Sequence, residues 1–360
     1  MNKSTRKTFL FRFAVAVAFT AYACVLLMPT GTGKKKENEA TLPCTTTEYA
    51  KAECVMELES RRVLYETNGD TRLPMASTTK IATAATVLSL CEDIGAEFPI
   101  PSQAEGVEGS SVYLKSGDIY SVEDLLYGLM LRSGNDCATA LALYCCGNIG
   151  SFTAKMNETA QKAGAMATNF RNPHGLPCAE HYTTARDLTL ISCYALENPT
   201  FQKIVSTQYY APRRWKNKNK MLICYDGAIG VKTGYTKEAG RCLVSAAERS
   251  GMTLVCSVLN CPTTYERSAS LLDDAFKAYE MVTLADGERV FQVGEGKNAK
   301  KGVLGQSFRY PLLEAEKEWI EMQAYPVEKG KISADGREII GKLEIYLAKR
   351  LLFSGNLYKL

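Results

Sequence analysis

Histidine is scarce in this chain of 360 residues, which contains two, and tryptophan also occurs twice. A histidine-rich metal site is therefore excluded, and a Ser-His-Asp triad could use only His174 or His181. No pair of cysteines has the spacing of a zinc finger, and the chain has no internal repeat or low-complexity tail. The net charge of +4 is too small to indicate nucleic-acid binding.

The N-terminus has the pattern of an export signal. Basic residues precede an uncharged, mostly apolar run over residues 13–28, which is long for a signal peptide and slightly short for a spanning helix. We predict a signal peptide or N-terminal membrane anchor over residues 1–29, and cleavage and retention both stay open. Cys24 follows small residues, a weak sign of lipid attachment. Residues 30–47, rich in Gly, Thr, Lys and Glu, indicate a flexible linker.

The thirteen cysteines are many for an exported chain. Most lie in apolar runs, which is typical of small core residues. Because an oxidising compartment would make so many free thiols hazardous, we predict few or no disulfides and a source that lives with little oxygen. Cys44, in the predicted linker, is the expected exception.

Hydrophobic periodicity predicts a mixture of helices and antiparallel strands. We expect a hairpin over 53–58 and 62–66 and a helix from Ser77 to about residue 93. Further helices are predicted over 122–131, 136–144, 151–163, 184–196 and 265–282, and strands over 228–235, 241–247 and 252–259. After about residue 285, short alternating runs with Gly-Lys and Asp-Gly turns indicate a small β domain.

Ser77 and Lys80 form an S-x-x-K motif at the start of the first predicted helix. This spacing puts the amine one turn on, on the same face as the hydroxyl. A lysine can take the proton of a serine nucleophile if a dry, positively charged surrounding lowers its pKa. The motif alone is weak, because Ser4 and Lys7 repeat it in the leader and a serine at a helix start is commonly only a cap.

Two later motifs raise the specificity of the first. Ser133-Gly134-Asn135 lies between two predicted helices, and Lys232-Thr233-Gly234 lies on a predicted strand. Copies at 354–356 and 115–117 show that each piece recurs by chance. The ordered triple S-x-x-K, S-x-N, K-T-G in this structural context is the active-site signature of serine penicillin-binding proteins and β-lactamases.

The sequences around these motifs resemble one family, the D-alanyl-D-alanine carboxypeptidases, which are low-molecular-mass penicillin-binding proteins. The resemblance covers roughly residues 48–282 and includes L-R-S-G-N-D at 131–136, N-P-H-G-L at 172–176 and G-V-K-T-G-Y-T at 230–236. It implies an α+β fold: an antiparallel sheet with flanking helices, a helical lobe and a small C-terminal β domain. The implied domains are a catalytic domain over 48–285 and a β domain over 286–360.

The resemblance also implies roles for individual residues. Ser77 would attack the penultimate carbonyl of a peptidoglycan stem peptide ending in D-Ala-D-Ala, and Lys80 would take its proton. Asn135 would hold Lys80 and the substrate amide, and Ser133 would relay a proton to the leaving amine. The implied substrate-binding residues are Lys232, Thr233, Gly234, Tyr235 and Arg267. No metal or organic cofactor is implied, and β-lactams are expected inhibitors.

Three other functions share parts of this signature: a β-lactamase, a D,D-endopeptidase that cuts cross-links, and a non-catalytic penicillin sensor or wall-binding protein. The complete Ser-Lys-Ser-Asn-Lys set argues against an inert site. Class A β-lactamases carry a glutamate between the second and third motifs, and here the only acid in residues 169–181 is Glu180. We expect His174 and His181 to hold this loop by hydrogen bonds. The expected location is the extracytoplasmic face of a bacterial membrane, or the cell wall.

Overall fold

The structure is a computed structural model that describes residues 50–296, 299–327 and 331–360. The predicted export segment at 1–29, the linker at 30–47, Cys24 and Cys44 lie outside the described residues, and the proposals for them stay predictions.

A five-stranded antiparallel sheet organises the region before residue 260. In spatial order its strands are β2 (Val63–Thr67), β1 (Ala52–Glu57), β9 (Met252–Leu259), β8 (Gly240–Arg249) and β7 (Ala228–Thr236). All six residues of β1 are buried. Such continuous burial requires cover on both faces of the sheet. The predicted hairpin and the three predicted late strands are all present, and β7 lies at one edge.

Helices surround this sheet and form a lobe beside it. The helices are α1 (Lys80–Leu90), α2 (Val122–Tyr127), α3 (Asn135–Cys146), α4 (Ile149–Lys162), α5 (Ala185–Leu196), α6 (Pro199–Ser206), α7 (Met221–Cys224) and α8 (Thr264–Ala278). Two short hairpins accompany the helices: β3 (Glu97–Pro99) with β4 (Ile119–Ser121), and β5 (Tyr209–Tyr210) with β6 (Trp215–Lys216).

The two faces of the sheet pack against different helices. Cys54 and Met56 of β1 belong to the larger apolar core, which includes α1 and α5, whereas Val55 belongs to a second core with α8. This alternation is the period of two that a strand imposes. Helix α2 begins as the sequence predicts, because Oγ of Ser121 accepts a hydrogen bond from the backbone N of Asp124 at 3.0 Å.

The C-terminal region is built from strands. β10 (Tyr279–Ala285) pairs with β13 (Phe308–Leu313). A second five-stranded sheet has the order β11 (Val290–Val293), β12 (Lys300–Val303), β16 (Arg350–Lys359), β15 (Ile339–Leu347) and β14 (Ile320–Pro326). This architecture confirms the predicted fold class, while the exact domain boundaries stay predictions.

One predicted helix extends further along the sequence than the helix in the structure. The sequence predicts a helix over 265–282, but α8 ends at Ala278 and the chain continues as β10. The segment Tyr279–Ala285 pairs with β13 from Tyr279 opposite Leu313 to Ala285 opposite Phe308, and this pairing supplies backbone partners that a helix would not need. Tertiary pairing therefore decided its conformation.

Two further properties concern the whole described part of the chain. Its eleven cysteines are all free thiols, and the expectation of few or no disulfides stays a prediction. Within the described ranges no single helix is long and apolar enough to cross a membrane, and only α3 and α4 taken together, bent by 91°, reach that length and composition.

Candidate active site

Ser77 lies in a tight 3-10 turn, Ala76–Thr79, that leads directly into α1. Ala76 has a left-handed φ of 49°, a conformation that costs free energy in a residue with a side chain. The side-chain nitrogen Nζ of Lys80, the first residue of α1, donates a hydrogen bond of 2.9 Å to Oγ of Ser77. The predicted nucleophile and base are thus in direct contact.

Lys80 is fully buried, with 0% of its surface exposed. Besides Ser77, its Nζ donates to Oδ1 of Asn135 and to the backbone oxygen of His174, both at 2.6 Å. Burial, reinforced by the charge of Lys232, lowers the pKa of Lys80 well below its ordinary value. The site therefore provides what a lysine base needs, a dry surrounding and a neighbouring positive charge.

Asn135 reaches Lys80 because the chain changes direction at the end of α2. That helix widens into a π turn, Gly128–Arg132, and Ser133 then adopts a left-handed φ of 64°. The backbone N of Asn135 donates to the backbone oxygen of Ser110 at 2.7 Å, and its Nδ2 donates to that of Glu108 at 2.6 Å. These bonds fix the side-chain oxygen of Asn135 toward Lys80.

Asp136 holds the same loop from the next position. Its carboxylate accepts hydrogen bonds from Oγ of Ser111 at 2.6 Å and from the backbone N of Val112 and Leu114 at 3.0 and 3.2 Å. In the sequence, Asp136 stands directly after the S-x-N motif, as the last residue of the flanking pattern L-R-S-G-N-D. An acidic residue directly after the S-x-N motif is the sequence signal that could have indicated this anchoring role.

The K-T-G strand forms the opposite wall. Lys232 is buried, and its Nζ donates to the backbone oxygen of Thr233 at 2.9 Å. Burial, with a smaller contribution from the charge of Lys218, lowers the pKa of Lys232 to about 7. A Cβ atom added to Gly234 would lie 3.1 Å from the backbone N of Ser77, so glycine permits the close approach of β7 to the Ser77 turn.

A cavity of about 320 Å³ opens between these walls. It is lined by Ser77, Ser110, Ser133, Lys218, Thr233, Gly234, Tyr235, Arg241, Cys242, Thr264 and Tyr265. Lys80, Asn135 and Lys232 lie buried behind this surface. The lining carries two cationic side chains and no carboxylate, so its electrostatics favour an anionic ligand group.

Arg267 is the one predicted site residue that the structure places elsewhere. It is 2% exposed, and its guanidinium pairs with the carboxylate of Glu53 on β1, with Nε 2.8 Å from Oε2. It is absent from the lining of the cavity. The guanidinium therefore lies against Glu53 between α8 and β1 and not in the lining of the cavity.

Lys218 and Arg241 line the cavity in its place. Lys218 belongs to a basic loop, 213–220, that was visible in the sequence, and Arg241 stands opposite Tyr235 in the β7–β8 pairing. Neither residue belongs to one of the three motifs. Only the folded sheet and loop bring these cations to the mouth of the site.

The two histidines stabilise the loop after α4, as predicted. Nδ1 of His174 accepts from the backbone N of Leu176 at 3.2 Å. Nδ1 of His181 accepts from the backbone N of Arg171 at 3.0 Å, so its Nε2 carries the proton and donates to Oγ1 of Thr79 at 2.9 Å. Burial lowers the pKa of His181 to about 4 and that of His174 to about 3, so both rings are neutral at pH 7.

Comparison with known proteins gives a consistent result. The model of peptidase family S11, described as D-alanyl-D-alanine carboxypeptidase, matches residues 36–263. The D-alanyl-D-alanine carboxypeptidase DacF of Bacillus subtilis is 32% identical over 245 residues, which cover 64% of this chain and 63% of the relative. DacA of Haemophilus influenzae is 29% identical over 99% of this chain and 93% of its own length.

Solved structures are similar in fold as well. Penicillin binding protein 5 from Haemophilus influenzae matches with a TM-score of 0.74 and 27% identity, over 89% of this chain and 98% of that one. The Streptomyces K15 DD-transpeptidase matches with a TM-score of 0.61 and 35% identity, over 64% of this chain and 98% of that one.

Proposed function

The chain belongs to the D-alanyl-D-alanine carboxypeptidase family, and we propose that it removes the terminal D-alanine from peptidoglycan stem pentapeptides through an acyl-enzyme on Ser77. Membership makes it a serine peptidase and a low-molecular-mass penicillin-binding protein. The observation that carries the proposed mechanism is the 2.9 Å hydrogen bond from Nζ of Lys80 to Oγ of Ser77.

Acylation begins with proton transfer from Ser77 to a neutral Lys80. Desolvation and the charge of Lys232 favour the neutral amine, and Asn135 fixes its position. Oγ of Ser77 then attacks the carbonyl carbon of the penultimate D-alanine. The 2.9 Å contact between Nζ of Lys80 and Oγ of Ser77 already exists in the free site, and its direction reverses in the proton-transfer step, where the Ser77 hydroxyl donates to the neutral amine.

The developing oxyanion needs donors that are in place before the reaction. Ser77 lies in the turn that precedes α1, and β7 approaches this turn so closely that a Cβ atom at position 234 would lie 3.1 Å from the backbone N of Ser77. We assign the backbone N–H groups of Ser77 and Tyr235 as the oxyanion donors. Their rigidity comes from a helix start and a sheet edge.

The leaving D-alanine needs a proton on its nitrogen. Ser133 lines the cavity beside Ser77 and is held by the π turn before it. In our proposal its hydroxyl relays the proton from Lys80 to the amine as the C–N bond breaks. Ser133 then receives the proton that Lys80 releases.

The terminal carboxylate of the substrate faces the cationic side of the cavity. Thr233 offers a hydroxyl, and Lys218 and Arg241 offer positive charges in the lining of the cavity. Charge-assisted hydrogen bonds of this kind fix a carboxylate more firmly than neutral ones. The buried Lys232 contributes through its charge and through its bond to the backbone of Thr233.

Deacylation follows when D-alanine leaves and water takes its place, with Lys80 again as the base. A β-lactamase would need a base that also activates water while the opened β-lactam remains in the site. Glu180, the acid that the sequence offered, is exposed and is not part of the cavity lining. The family comparisons likewise do not favour a β-lactamase.

The direct test is release of D-alanine from a peptidoglycan pentapeptide by the purified protein. We expect one D-alanine per peptide, and loss of release in Ser77→Ala. Hydrolysis of penicillin in preference to the peptide would overturn the assignment. Release of cross-linked dimers as monomers, without free D-alanine, would show an endopeptidase instead.

We also propose that the protein works outside the cytoplasm, held or exported by residues 1–29. The support is the basic segment followed by the uncharged run at 13–28. Fractionation of cells that express the full chain tests this proposal. Penicillin labelling of intact cells by an impermeant probe is expected with the full chain, and its persistence after deletion of residues 1–29 would contradict the proposal.

A further inference from the structure

A pair of thiols lies at the far ends of the two helices that carry Lys80 and Asn135. Sγ of Cys91 is 3.5 Å from Sγ of Cys145. Cys91 directly follows α1, which begins at Lys80, and Cys145 is the penultimate residue of α3, which begins at Asn135. Because Lys80 also bonds to Asn135, α1 and α3 touch at both ends.

We propose that Cys91 and Cys145 form a reversible disulfide when the protein meets a low-molecular-mass disulfide oxidant, and that this bond ties α1 to α3. The sulfurs need to approach to about 2 Å. Cys91 has an extended backbone, with φ −97° and ψ 118°, so it lies outside the helix and can move without breaking it. Both side chains are half-buried and therefore reachable by a small oxidant.

The two thiols have different roles in the reaction. The hydrogen bond from Cys145 lowers the pKa of Cys91, whereas the same bond and burial raise the pKa of Cys145. The thiolate of Cys91 attacks one sulfur of the oxidant RSSR and expels RS⁻. The thiolate of Cys145 then attacks Sγ of Cys91 and expels the second RS⁻. The two thiol protons end on the two RS⁻ ions, so RSSR gains two electrons and leaves as two RSH.

Other cysteines of the described chain are poorer candidates. Burial raises the pKa of a group of core thiols, which slows their reaction. This group contains Cys54, Cys137, Cys193, Cys242 and Cys256. Cys146 follows Cys145 directly and is the natural competitor for Cys91. The described residues contain no cluster of three or more His, Cys, Asp or Glu side chains that could hold a metal ion, so the two thiols do not form part of such a cluster.

The bond would have a measurable consequence for the active site. Cys91 and Cys145 are 54 residues apart in sequence, so a link between them restricts a long segment of the unfolded chain. The tethered helices deliver the base and its amide partner. We therefore expect the oxidised protein to keep its ability to bind penicillin covalently up to a higher temperature than the reduced protein.

The experiment treats the reduced full chain with oxidised glutathione and maps its peptides without reduction. We expect a cross-linked peptide pair that contains Cys91 and Cys145, and a mass lower by two hydrogen atoms. The temperature at which penicillin labelling is half lost should rise by several degrees and return after addition of a thiol reductant. Cys146→Ser should show both effects.

The matched variant Cys145→Ser should show neither the cross-link nor the thermal shift, and should hold Cys91 as a mixed disulfide with glutathione. A wild-type mixed disulfide at Cys91 that never resolves would overturn the proposal. So would a bond between Cys91 and Cys146, or an unreacted Cys91 while the exposed Cys178 is fully modified. Peptide mapping separates these outcomes from any reaction of Cys24 or Cys44.

Discussion

The side-chain nitrogen of Lys80 lies 2.9 Å from the hydroxyl oxygen of Ser77, three residues before it in the chain. One helical turn therefore brings the nucleophile and its base together, and Asn135 and the backbone of His174 fix the position of the amine. The rest of the fold completes the site. It buries the lysine, places a second positive charge near it and supplies the groups that bind the substrate.

Ser77 and Ser133 both face the cavity, but only one should become acylated. We expect Ser77→Ala to abolish covalent labelling by a fluorescent penicillin. Ser133→Ala should still be labelled, while turnover of a D-Ala-D-Ala peptide falls by about 10²-fold, because the proton relay to the leaving amine is lost. Peptide mass spectrometry locates the adduct, and an adduct on Ser133 in the Ser77→Ala variant would reverse the assignment.

The pH dependence of acylation should carry the signature of Lys232. Its pKa is lowered to about 7, so the positive charge that attracts the carboxylate of penicillin to the site is lost as pH rises through that value. The rate of penicillin labelling should therefore show a descending alkaline limb near pH 7. Because these cations titrate together, the limb belongs to the group of lysines rather than to one of them.

Lys218 provides the control for this pH profile. Its positive charge helps to lower the pKa of Lys232, so Lys218→Gln should raise that pKa and move the alkaline limb to higher pH. The shift is read from the position of the limb and not from its height, since Lys218 also lines the cavity. A limb that stays in place would exclude Lys232 as its source.

Arg241 should recognise the substrate carboxylate, the role that the sequence assigned to Arg267. We expect Arg241→Ala to raise KM for a D-Ala-D-Ala peptide about tenfold, the effect of losing a solvent-screened, charge-assisted bond. KM for the C-terminal amide of the same peptide should change little. Steady-state assays measure KM for both peptides. An equal rise in KM for the acid and for the amide would show that Arg241 does not bind the carboxylate.

Arg267 should instead matter for stability, through its buried ion pair with Glu53. Removing one partner leaves a buried charge without compensation, so Arg267→Met should cost about 3–5 kcal/mol of unfolding free energy. The double variant Arg267→Met with Glu53→Leu should recover much of this loss, since both charges are then gone. Thermal unfolding measures the stability of the single and double variants. A double variant whose loss equals the sum of the two single losses would argue against direct coupling of Arg267 and Glu53.

Bound penicillin should leave slowly. The cavity lining holds no carboxylate that could act as a separate base for water, and the opened β-lactam keeps its leaving group tethered in the site. Ser77 should stay acylated for minutes or longer, as intact-protein mass after a stoichiometric pulse of penicillin G would show. Glu180→Gln should release the drug at the wild-type rate. Many turnovers per second would point to a β-lactamase.

The sequence alone was sufficient for the local geometry of the site. Ser77 and Lys80 lie one helical turn apart, and Lys232, Thr233 and Gly234 form a strand segment, so spacing and periodicity determined their arrangement. The three late strands were predicted to within about two residues, because their apolar runs and tight turns are local signals. These features depend on the backbone within a few residues.

Tertiary structure decided everything that depends on contacts between distant segments. Lys80 bonds to Asn135, which is 55 residues away, and to the backbone of His174, which is 94 residues away. Arg267 turns toward Glu53, 214 residues away, whereas Arg241 reaches the cavity through strand pairing. Helical periodicity indicates on which face of a helix a residue lies. What that face contacts is determined by the packing of the helix against the sheet. Burial, which lowers the lysine pKa values, likewise exists only after the chain has closed around them.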